Sequence, residues 1–105
     1  MTKKDYLQKS LRSLAFDLDS ELEAINERHI ILNDIDYLLG HLRVDMDNIN
    51  PELVPFYFNQ FLSSVRIIEE LCRYTINDLN KNFQNTQNIK DAIFQKVVKD
   101  VKEEG

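Results

Sequence analysis

His29, His41, Cys72 and three Asp-x-Asp pairs are the side chains through which this chain could do chemistry. Imidazoles move protons or bind metals, a thiol attacks, and paired carboxylates hold cations. Their spacing argues against each use. The histidines stand twelve residues apart, about 120° round a helix, and neither lies in a Glu-x-x-His or His-x-x-x-His arrangement. His29 reads as a flanking, partly buried side chain and His41 as a solvated one. Asp17/Asp19, Asp34/Asp36 and Asp45/Asp47 would suit a cation in a loop, but on a helix the members of each pair point about 160° apart. Asp34 and Asp45 return to one face, three turns from each other and too distant for one ion, and read as an acidic face. Cys72 falls in a seven-residue repeat with Val65 and Leu79, the place of a small core residue, and no histidine lies in register to activate it. No catalytic, cofactor-binding or metal-binding constellation is expected, and the chain reads as a non-enzyme.

The elements that carry these residues are long helices. Leu11, Leu18, Ile25, Leu32, Leu39 and Met46 fall seven residues apart, the spacing of a helix committed to a helical partner. They form the expected interaction seam. A second row holds Leu7 and Leu14 at one end and Ile35, Leu42 and Ile49 at the other, with Glu21 and Arg28 in the slots between. Leu22 and His29 sit one position later, so the helix either drifts in phase or breaks near Asp19, where Ser20-Glu21-Leu22-Glu23 has the form of a capping box. The reading preferred here is one helix over about 3–47. Thr2 with Asp5 caps its start.

Asn50-Pro51-Glu52 ends that helix and starts the next. Proline keeps Asn50 out of the α region and suits a first helical position, and Glu52 complements the helix dipole. Phe58, Val65, Cys72 and Leu79 then repeat every seven, flanked by Phe61, Leu62, Ile68, Ile76 and Phe83, which predicts a helix over about 51–83. Phe56, Tyr57, Phe58 and Phe61 are expected to plug the hairpin end. Polar, weakly helical Lys81 to Gln87 predicts a turn. A short last helix over about 88–102 follows, with Ile89, Ile93, Val97 and Val101 as its apolar row and a frayed tail from Lys102. Lys90, Lys96, Lys99 and Lys102 give it a solvated basic face.

Composition bounds the remainder. At 105 residues, with 2 glycines, 2 prolines and 43% hydrophobic residues, the chain is expected to be one all-α domain over 1–105. The longest apolar run, Leu53 to Phe58, is six residues and far below the roughly 20 that span a bilayer. The first residues lead into no apolar signal region and Cys72 is the one cysteine, so a cytoplasmic protein is expected. Net charge is −5, with residues 13–50 at −7, an acidity that opposes nucleic-acid binding.

Folding the chain back at Pro51 sets residue i near residue 103 − i. A first helix of about 43 residues would be roughly 65 Å long, and most of that hairpin would have two helices in cross-section. From Ile30 to Ile49, eleven of twenty positions are apolar, more than one seam absorbs. The sequence therefore asks for further helices, from a second copy or another protein. The expected architecture is a long antiparallel hairpin plus a short C-terminal helix, completed to a four-helix-type bundle by dimerisation. The expected function is that of an intracellular interaction module binding itself or another protein, without cofactors, nucleic acid or membrane. The alternative is a small acidic inhibitor or immunity-type protein, blocking a basic surface of its target with the face of Asp34 and Asp45.

Overall fold

The computed structural model describes residues 2–104, with side chains for residues 2–99. All its elements are helical: α1 Lys3–Leu7, α2 Leu11–Asn48, a 3-10 turn Pro51–Leu53, and α3 Val54–Glu104. The all-α class is as the composition predicts. Two expected boundaries are wrong, and each has a physical reason.

The first helix does not run unbroken from residue 3. It breaks at Gln8 to Ser10, where the Ser13 amide donates to Ser10 Oγ at 3.1 Å and the Leu14 amide to the Ser10 carbonyl at 2.9 Å. Ser10 thus caps α2. The break lets Tyr6 turn onto the core, where it is 4% exposed with Leu14, Ile89 and Ala92, while Leu7, Leu18 and Ile93 pack against them. Lys9 holds the corner, with Nζ 2.6 Å from Asp17 Oδ2 and 5.5 Å from the Tyr6 ring centre. Near Asp19, the alternative breakpoint, α2 is continuous. The Thr2 cap is as expected: its hydroxyl accepts the Asp5 amide, and its own amide donates to Asp5 Oδ2 at 2.9 Å. Those bonds, the backbone one foremost, hold the Asp5 carboxyl below its ordinary range.

No turn separates a third from a fourth helix. The expected helices over 51–83 and 88–102 are one element, α3. Residues 81–87 are weak helix formers, but their side chains are tied down. Asn82 Nδ2 donates to Glu21 Oε2 at 2.7 Å and Asn85 Nδ2 to Glu21 Oε1 at 3.1 Å, while Gln84 Nε2 reaches Asn88 Oδ1 one turn on at 3.2 Å. Tertiary bonds here override local propensity. At the hairpin end the Asn50 side chain accepts the Glu52 amide at 3.1 Å with Pro51 first in the 3-10 turn, and the α-helix starts at Val54. Val101 and the tail from Lys102 lie outside the described side chains.

The chain divides into two compact units. The terminal unit is Met1–Glu27 with Leu79–Gly105, and the hairpin unit is Arg28–Asp78. In the terminal unit three segments, from α1, α2 and α3, meet around Tyr6, Leu14, Ile89 and Ala92. α2 and α3 run antiparallel there: Leu14 packs with Ile89 and Glu21 takes Asn82, both pairs that the 103 − i rule names, while Lys3 of α1 lies with its Nζ 3.4 Å from Asp91 Oδ2. In the hairpin unit two segments meet, and its buried side chains are Ile35, Ile68 and Thr75, the last donating to the Leu71 carbonyl at 2.6 Å. Arg28 Nε pairs with Asp78 Oδ2 at 3.3 Å.

Candidate functional site

Which stripe of each helix faces the other decides what is left over. On α2 the inward row is Leu14, Glu21, Arg28, Ile35 and Leu42, continued by Ile49 just past the helix end, each buried or half-buried. It is the second row of the sequence, with a carboxylate and a guanidinium inlaid where the apolar pattern lapses. On α3 the matching row is Phe61, Ile68, Thr75, Asn82 and Ile89, also seven apart and also interrupted by polar residues. Glu21 meets two asparagines and Arg28 meets Asp78, so the inlaid charges have fixed partners.

The apolar stripe of α2 therefore lies at the edge of the contact. Leu18 and Ile25 are half-buried, and Leu11, Leu32, Leu39 and Met46 are exposed. Four residues of helix turn about 40° past a full circle, which sets this stripe to one side of the inward row. The α3 stripe lies to the same side. Phe58 is 59% and Val65 45% exposed, and Cys72 and Leu79 are half-buried. The two stripes meet in the hairpin unit.

In the hairpin unit, Met46 lines a groove of about 240 Å³ with Phe58, Phe61, Leu62 and Val65. In the terminal unit, Leu18 lines one of about 530 Å³ with Phe83, Thr86, Ile93, Phe94 and Val97, edged by Lys90. In the hairpin unit the structure thus brings Met46 of the α2 stripe beside Phe58 and Val65 of the α3 stripe, on a surface open to water.

The aromatic plug at the hairpin end is corrected: Phe56 is 82% exposed, Tyr57 and Phe58 are also exposed, and Phe61 is half-buried. Two helices leave no interior there for four rings. A second exposed row on α2 holds Ile30, Tyr37 and Val44, also spaced by seven.

Asp34 and Asp45 are both exposed. Asp45 edges a groove on the opposite side of the hairpin with Leu38, His41, Gln60, Ser64 and Ile67, and the Tyr37 and His41 rings meet edge-on at 4.3 Å. His29 is exposed rather than partly buried. Cys72 is a free, half-buried thiol. Among the described residues no group of three or more His, Cys, Asp or Glu side chains could hold a metal ion, and no helix is long and apolar enough to cross a membrane. Compared with protein families, with curated proteins and with solved structures, the chain shows no match.

Proposed function

We propose that this chain is a non-enzymatic, intracellular protein–protein interaction module that works as a homodimer through the apolar face of its hairpin unit. One observation carries the reading: Met46 on α2 lines a groove with Phe58, Leu62 and Val65 on α3, Leu32 and Leu39 continue the Met46 row at a spacing of seven, and all six are exposed. A two-helix unit that buries Ile35, Ile68 and Thr75 has little core of its own, and a face with a heptad stripe on each helix is half of a four-helix bundle. The terminal unit supports this by contrast, because there α1 supplies the third segment and a closed core forms.

The acidic-face alternative draws on less. Asp34 and Asp45 are exposed as it requires, but the groove beside Asp45 is also lined by Leu38, Ile67 and Ile68.

The test replaces Leu32 and Leu39 together with Asp. Neither is buried within the chain, so the double variant keeps its helicity by circular dichroism and loses the dimer mass in light scattering. A variant that keeps that mass contradicts the reading.

A further inference from the structure

The apolar face carries charges that select how a second copy lies on it. Asp36 stands four residues after Leu32 and three before Leu39; Arg43 stands four after Leu39 and three before Met46. Both occupy the same position of the repeat, on the outer rim of the α2 stripe. Both are exposed, and neither takes an ion pair among the described residues. Side chains at this rim position set orientation in helical assemblies, and between antiparallel helices a position meets its own equivalent. One such position holding an acid and a base on either side of Leu39 is complementary to an inverted copy of itself.

We propose that the hairpin units of two copies pack face to face about a two-fold axis crossing the helices at the level of Leu39 and Val65, α2 antiparallel on the partner's α2 and α3 on the partner's α3. The proposal rests on the homodimer reading and gives it a geometry. Asp36 of each copy then meets Arg43 of the other, twice per dimer. The stripes agree with the same axis. Leu32 faces Met46 and Leu39 faces itself; on α3, Phe58 faces Cys72 and Val65 faces itself. One axis serves both helices because Leu39 and Val65 stand at about one level in the hairpin, where Leu38 and Leu42 line a groove with Ser64 and Ile68. An isologous contact requires that agreement, and nothing in the two repeats taken separately imposes it. The bundle covers each exposed stripe residue of the hairpin unit with an apolar one or with Cys72. The two Cys72 thiols end seven residues from the axis on each chain, roughly 21 Å apart along the helices.

Two measurements on the full chain test this. The first is the dimer dissociation constant by sedimentation. Asp36→Arg alone and Arg43→Asp alone each juxtapose like charges twice and weaken the dimer on the order of tenfold. The double variant restores it to within about twofold of the unmodified protein. Single variants without effect, or a double variant weaker than either, overturn the proposal.

The second is disulfide trapping in a Cys72→Ser background. Leu39→Cys chains and Val65→Cys chains each cross-link to themselves, and a mixture of Leu32→Cys with Met46→Cys gives the mixed dimer. Cross-linking of Leu39→Cys only to Val65→Cys chains overturns the proposed axis while leaving the homodimer reading intact. A chain that is monomeric before any substitution overturns both.

Discussion

Tyr6 and Glu21 show how single residues hold the terminal unit. Tyr6 is almost wholly buried against Leu14, Ile89 and Ala92, and no other residue of α1 is buried. Tyr6→Ala should cost about 3 kcal/mol of stability, read as a lower denaturant midpoint. Burial above all, then the carboxylates of Glu21 and Asp17, raises the Tyr6 phenol above its ordinary pKa, against a smaller opposing effect of Lys9. The folded state therefore keeps the proton to higher pH than the unfolded chain does. The stabilisation is complete below the unfolded pKa of about 10 and declines as pH rises from there through the folded value. Ultraviolet titration of the tyrosines should show one phenol ionising late, and Tyr6→Phe should remove that late fraction. A titration unchanged by Tyr6→Phe would contradict the assignment.

Glu21 belongs to the same scale. Each carboxylate oxygen takes one asparagine amide, so Glu21→Ala leaves two half-buried donors without their partner and should cost roughly 1–3 kcal/mol. Replacing Glu21, Asn82 and Asn85 together by leucine should recover most of that loss, because no donor is then stranded. Equal destabilisation by the single and triple variants would show that the bonds matter less than the shape of the contact.

At the scale of the element, what was legible in the sequence depended on how local its cause was. The caps at Thr2-Asp5 and Asn50-Pro51-Glu52 use residues within one turn of each other, and the structure has them. Ser10 was missed because the residue three on is Ser13, which does not complete the acidic capping-box pattern, although the serine hydroxyl suffices to cap. Ser10→Ala should accordingly cost about 1 kcal/mol, with its effect in hydrogen exchange concentrated at residues 11–14. Uniform protection loss along α2 would contradict a local cap. The turn read into residues 81–87 failed for the opposite reason. Its polar, weakly helical composition is real, but Asn82 and Asn85 are there to meet Glu21, which lies about sixty residues away in sequence and is invisible to any local window. Periodicity identified which residues share a face and could not say which face turns inward. The unbroken apolar stripe Leu11 to Met46, read as an interaction seam, lies at the edge of the contact between α2 and α3. The row interrupted by Glu21 and Arg28 took the inward place because both interruptions found partners on α3.

For the molecule as a whole, the two units differ in how far each completes itself. The terminal unit gathers three segments around a closed apolar cluster, whereas the hairpin unit brings two segments together and leaves most of its large apolar side chains in water. The breadth of the apolar pattern over residues 30–49 already implied this, since two helices cannot enclose it. Chemistry-bearing residues form no comparable feature: His29 and His41 are both exposed, and Cys72 lines none of the grooves described above. The proposed function thus follows from an unfilled packing requirement. The measurement that tests it most directly is the absolute mass of the unmodified protein by light scattering during size exclusion, across a concentration series. A homodimer gives twice the 12.4 kDa of one chain, persisting on dilution into the low micromolar range. A mass of one chain at every concentration would contradict it.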